Sequence, residues 1–111
     1  MTPERAIDLI VAELRRAEKK HPGWPVDRLR QVCIISEEAG EVMRGALTIV
    51  ESEEHLMTHP QEGYEVTLAH HRMAALEEEL MAEVVQTAAM SLRWLLNWKP
   101  LYAQDRPEPR S

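Results

Sequence analysis

The chain has 111 residues, a length that fits one domain with a modest core. Hydrophobic residues make up 44% and charged residues 29%, Phe is absent and only 4 Gly occur, so helix is favoured over sheet. The net charge of -6 argues against a binder of nucleic-acid polymers, which presents a basic surface; it still allows a nucleotide substrate if cations stand between carboxylates and phosphates.

Cys33 is the single cysteine, so no intramolecular disulfide forms and nothing points to secretion. No apolar run approaches the ~20 residues of a membrane span and the first residues do not form a signal peptide. The expectation is a cytoplasmic protein with no membrane partner.

Thr2-Pro3-Glu4 reads as a helix start, with Thr2 as cap, Pro3 in the first turn and Glu4 at the positive end. Ile7, Ile10, Val11 and Leu14 recur at helical spacing to about Ala17. Arg15, Arg16, Lys19 and Lys20 crowd the last turns. Cations suit a helix C-terminus on dipole grounds alone, and a phosphate-facing patch is the sharper reading. His21-Pro22-Gly23-Trp24-Pro25 then breaks the helix. Trp24 in that loop packs down as a lid on the core or offers a stacking face to a nucleobase.

Asp27 caps a second helix, expected from about Arg28 to about Glu51. Val32, Ile35, Ala39, Val42, Met43, Ala46 and Val50 share a face, and Cys33, Ile34, Leu47 and Ile49 widen it. A helix apolar nearly all round is a central one, with Cys33 as a core residue. Within it, Glu37, Glu38 and Glu41 fall in an arc of roughly 100°. Three like charges so close need solvent or a cation to offset their repulsion.

From Glu51 to Gly63 the pattern degrades into a frayed helix end and a polar loop. His55 and His59, four residues apart, and the pair His70-His71 raise a transition metal, but no Cys or matching acidic partner completes a zinc set. A third helix is expected from Tyr64 to about Trp98. It carries Leu80, Met81, Val84, Val85, Ala88, Leu92, Leu95 and Leu96 on one broad face, and Pro100 ends it. Measured from Glu83, Glu79 lies about 40° and Gln86 about 60° to one side, with Met90 and Arg93 on the same line. Glu79, Glu83, Gln86 and Arg93 thus form a polar stripe opposite the apolar face. Residues 1–100 read as one helical domain and 101–111 as a disordered tail.

Antiparallel packing of the second and third helices brings the two acidic patches together. Oxygen ligands on facing helices suit Mg²⁺ or Mn²⁺, and two such ions could hold a triphosphate and activate water for attack on phosphorus. Solvated glutamates on a purely structural bundle are the bland alternative. Arg93 is the best placed phosphate contact on the last helix, with Lys19 and Lys20 behind it. An exposed or interface role competes for each.

Glu37-Glu38-Ala39-Gly40-Glu41 resembles the Glu-Glu-x-x-Glu signature of the MazG-like, all-α nucleoside triphosphate pyrophosphohydrolases. Glu83-Val84-Val85-Gln86 stands where that family has a Glu-x-x-Asp pair, and His21–Asp27 is similar to phage and bacterial members. The similarity runs from about His21 to Leu95. It implies an all-α bundle of three main helices whose four-helix core is completed in a homodimer or homotetramer. It also implies Mg²⁺-dependent cleavage between the α- and β-phosphates to a nucleoside monophosphate and pyrophosphate. Glu37, Glu38 and Glu41 would then bind metal or orient its water, and Glu83 would complete the set.

Two departures stand out. Gln86 replaces the Asp, coordinating through its carbonyl without charge, and Glu79 with Glu83 offers another way to supply the missing carboxylate. The separation from Glu41 to Glu83 exceeds the family's usual spacing, as an insertion around His55–Gly63 would produce. The Gln86 change also fits a catalytically weakened helical module that binds nucleotides or a protein partner.

Overall fold

The computed structural model describes residues 1–100 and Tyr102; the expected disordered tail lies otherwise outside the described residues. Within them the chain is all-helical, with α1 at Pro3–Lys20, α2 at Arg28–Thr58 and α3 at Tyr64–Leu96, and no strand.

The helix starts follow the cap chemistry. Thr2 Oγ1 accepts the amide of Arg5 at 3.1 Å and Asp27 Oδ1 accepts that of Arg30 at 3.0 Å. Each side chain thereby satisfies one of the four amides a helix N-terminus leaves without partners. Between α1 and α2 the chain is pinned by Gln31, whose Nε2 donates to Pro25 O at 2.7 Å.

α2 outruns its expected end at Glu51 by two turns, and the residues assigned to a polar loop extend the helix instead. Glu53, Glu54, Leu56 and Met57 are good helix formers, and Ser52 and Thr58 turn their hydroxyls back onto the carbonyls of Thr48 and Glu54. The helix stops only where Pro60 makes the preceding residue leave helical geometry, with His59 at φ -128°, ψ 77°. The connection is then just His59–Gly63, closed by Gly63 at φ 57°, ψ -127°, a region open only to glycine. The residues between Glu51 and Thr58 thus lengthen an α2–α3 hairpin rather than forming a long loop.

That hairpin outgrows α1. Helices of 31 and 33 residues reach about 46 and 50 Å, while the 18 residues of α1 reach about 27 Å. The radius of gyration is 19.1 Å against about 13 Å for a compact chain of this length, so the molecule is a rod.

α3, not α2, is the central helix. It packs against both α1 and α2, whereas α2 has no buried residue. The core consists of Leu14 and Ala17 of α1 with Ala89 and Met90 of α3, and Ile10, Trp24, Ile34, Ile35 and Leu92 lean on it. α3 therefore turns its Glu83–Gln86–Met90–Arg93 line inward, where sequence alone had set the polar stripe away from the apolar face. Outside remain Val84, 48% accessible, Leu95 on α3 and Leu47 and Met43 on α2. Cys33, expected in the core, is also exposed, because α2 meets only α3 and its Cys33 side has no neighbour to pack on. Among the described residues no helix is long and apolar enough to cross a membrane.

Candidate metal and anion site

α1 and α2 both rest on α3 but do not pack on each other, and the space between them is a cleft. It is a cavity of about 400 Å³ lined by side chains of all three helices and of the α1–α2 connection. Glu13, Arg16 and Lys20 come from α1, Glu37 and Glu38 from α2, and Gln86, Met90 and Arg93 from α3. A second cavity of about 390 Å³ lies further along the hairpin, lined by Glu41, Arg44, Glu79 and Glu83 among others.

Glu38, which lines the first cavity, and Glu41 and Glu83, which line the second, each offer a carboxylate oxygen within 4.8 Å of the others. Glu38 and Glu41 are one turn apart on α2 and Glu83 reaches across from α3. This is the one group of potential metal ligands that meets that spacing among the described residues. The His55 and His59 rings instead stack on each other, 4.2 Å between centroids, and form no such group. Glu37 faces the first cavity beside Glu38 without joining the trio, and Glu79 faces the second cavity a turn before Glu83.

Gln86 ties two of the trio together. With its carboxamide oriented so that donors meet acceptors, its nitrogen donates to Glu83 Oε2 at 3.1 Å and to Glu38 Oε2 at 3.1 Å. Gln86 therefore presents N–H groups to a carboxylate on each helix.

The proton affinities record the crowding. Burial pushes the half-buried Glu38 carboxyl above its ordinary 4.5, and the charges of Glu41, Glu13 and Glu37 push it further. Glu83 is also raised, first because it shares a hydrogen bond with Glu41, then by burial and by the charges of Glu41 and Glu38; Arg44 opposes the shift. Three carboxylates with oxygens already gathered from two helices, two of them (Glu38 and Glu83) holding protons more tightly than usual, fit a hard divalent cation by donor chemistry and by spacing.

Arg93 and Trp24 form the opposite end of the cleft. Arg93 is 4% accessible, its Nη2 donates to His21 O at 2.7 Å and Gly23 O at 3.3 Å, and its guanidinium carbon lies 5.1 Å from the centre of the Trp24 ring. Lys20 sits on the rim of the same cavity, which Lys19 does not line.

Two participants were not singled out from sequence. Glu13 lies four and seven residues before Ala17 and Lys20, a spacing that marks the side of α1 facing the cleft, and it pairs with Arg16. Arg44 follows Glu41 by one turn and is the cation nearest the Glu41–Glu83 pair in effect. Comparison of the chain with family models, with characterised proteins and with solved structures found no significant match.

Proposed function

We propose that this chain is a Mg²⁺-dependent nucleoside triphosphate pyrophosphohydrolase, cleaving (d)NTP to (d)NMP and pyrophosphate, of the MazG-like kind its motifs resemble. The observation that carries this reading is the Glu38–Glu41–Glu83 trio gathered from two helices, with Glu38 also lining the cleft. Mg²⁺, or Mn²⁺ in its place, would be held by these three carboxylates and would supply charge neutralisation for phosphate oxygens and acidify a bound water.

The chain's own residues account for the rest. Glu37, which lines the cavity outside the trio, would accept the proton of an attacking water. Water oxygen adds to the α-phosphorus, the bond from that phosphorus to the bridging oxygen breaks, and pyrophosphate leaves with the bonding electron pair. The cleft, at about 400 Å³, has the size of a small-ligand site. Trp24, Lys20 and Arg93 line it beyond Gln86, and are the substrate-binding residues of this reading.

The same reading makes the protein a homodimer or homotetramer. A two-helix hairpin cannot cover its own outer face, and Met43, Leu47, Val84 and Leu95 are left in water in the single chain. Its localisation would be cytoplasmic and its role nucleotide-pool housekeeping.

The experiment is a panel of canonical and modified nucleoside triphosphates with Mg²⁺, read by pyrophosphate release. Release from at least one, lost in Glu38→Gln by about 100-fold or more, is expected. The Gln86 amide favours a second reading, a nucleotide-binding module whose turnover has weakened with the loss of a ligand charge. Nucleotide binding without release from any triphosphate would select it.

A further inference from the structure

We propose that the end of the cleft where Arg93, Trp24 and Lys20 converge is an anion subsite that takes a phosphate group without the help of a divalent cation. This inference rests on the substrate-binding role proposed above for the same residues and deepens it, while its test needs neither a cation nor the carboxylate trio. Arg93 follows Glu83 by ten residues, about 15 Å of backbone rise along α3, and shares the cleft with Glu38 alone of the trio.

Arg93 is the single buried charged side chain among the described residues. A buried charge is normally paired, because removing it from water is costly otherwise. Yet no carboxylate among the described residues lies in ion-pair range of Arg93; the ion pair found there is Arg16 with Glu13. Its bonded acceptors are the neutral carbonyls of His21 and Gly23, which hold the loop and leave the charge unneutralised.

Two donors remain unspent. Arg93 Nε and Trp24 Nε1 are both buried without a hydrogen-bond partner, and both residues line the cleft. Neither group can accept, so whatever satisfies them brings acceptor oxygens. Lys20, on the rim of the same cavity and engaged in no hydrogen bond or ion pair among the described residues, adds a further cation. Both N–H groups are closed to water as the cleft stands, so an oxyanion reaches them by moving the Trp24 loop slightly aside; with several acceptor oxygens it then answers all three at once, and phosphate has the charge and the oxygen count. A water molecule could satisfy the two N–H groups but not the charge.

The shared chemistry is a phosphate group, and its source is either a nucleotide or free inorganic (pyro)phosphate. The test uses the intact ¹⁵N-labelled protein in EDTA, titrated with inorganic pyrophosphate, with the Arg93 Nε–H and Trp24 indole N–H signals followed by NMR. Both signals are expected to shift saturably while those of the Trp94 and Trp98 indoles do not. Arg93→Gln is expected to weaken binding by about tenfold or more. Because that variant also loosens the loop, Lys20→Ala on the exposed rim serves beside it, and weakens binding several-fold with the thermal midpoint unchanged. Glu38→Gln should bind pyrophosphate in EDTA at least as well as the native chain, which separates this subsite from the trio. A triphosphate competing with pyrophosphate for the same signals assigns a nucleotide as source, and lack of competition leaves the free anion. No saturable shift in EDTA, or the same shifts produced by a nucleoside lacking phosphate, overturns the proposal.

Discussion

Gln86 on α3 and Glu38 on α2 meet across the helix pair with amide nitrogen and Oε2 3.1 Å apart, and the same nitrogen reaches Glu83 at 3.1 Å. A carboxamide at this point holds carboxylates from two helices together while adding no charge of its own. That is a different service from a fourth anionic ligand. It leaves the site ready for a cation but less repulsive without one.

Gln86→Glu exchanges that service for charge. It removes both N–H donors and adds a fourth carboxylate to the cluster of Glu38, Glu41 and Glu83. In EDTA the variant is expected to melt below the native protein, by several degrees on the scale where about 1 kcal/mol moves a domain of this size by about 4–8 °C. Mg²⁺ should then raise its midpoint more than it raises that of the native chain, since ligand-linked stabilisation grows with affinity. Paired thermal melts with and without Mg²⁺ read both effects. Equal Mg²⁺ responses would mean that position 86 is not next to a cation.

The raised carboxyls of Glu38 and Glu83 set a pH dependence with a definite sign. In the cation-free folded chain these groups keep protons at pH values where the unfolded chain has released them. The folded state then binds more protons, so this contribution to stability is present below the ordinary 4.5 and is lost as pH rises through the higher folded values. Glu38→Gln mimics the protonated form permanently. In EDTA its midpoint is expected to exceed the native one by a few degrees at pH 7, the gap closing by about pH 4. With Mg²⁺ at pH 7 the order should reverse, because the native trio gains the ion and the variant does not. A gap that stays constant from pH 4 to 7 would place its origin in packing.

The exposed apolar residues of the hairpin give a prediction about assembly. Val84, 48% accessible on α3, and Leu47, 52% accessible on α2, lie outside the single-chain core. Sedimentation of the native protein is expected to give a dimer or tetramer. Val84→Glu or Leu47→Glu should shift the population toward the monomer at micromolar concentration, since burying an unpaired charge in an apolar contact costs several kcal/mol. A native protein that sediments as a monomer would mean these faces are simply solvated.

Much of this architecture is legible from residue order, and the failures have physical causes. Thr2, Pro3 and Asp27 mark helix starts because capping is local chemistry, and the Glu37–Glu41 and Glu83–Gln86 spacings are fixed by helix geometry alone. The end of α2 was misjudged because Glu51–Thr58 has no apolar stripe to signal helix, although its propensities permit one up to Pro60. The inward face of α3 differs from the sequence pattern for another reason. Periodicity marks the apolar side, but a chain with two broad apolar sides and a polar line to bury cannot turn all of them inward. Nothing local says that Met90 and Arg93 go in while Val84 and Leu95 stay out. The pairing of Gln86 with Glu38 depends on how two distant helices are set against each other. So does the orphaned state of Arg93 Nε, and no spacing rule contains either.

Gly63 closes the turn between α2 and α3. Its φ of 57° with ψ of -127° lies where a side chain strains the backbone, yet a Cβ added there would meet no atom within 4 Å. Steric crowding is therefore absent, and a substitution reports backbone strain alone. Gly63→Ala is expected to destabilise the chain by about 1–3 kcal/mol. Gly23 also has open space around a Cβ but no positive φ, so Gly23→Ala should be far milder. Denaturant melts of the two variants, compared at equal m-value, isolate the conformational cost. If the alanine at position 63 is as well tolerated as the one at position 23, the hairpin turn adjusts, and the α2–α3 register is set by the helix contacts such as Gly45 against Leu80 rather than by the turn.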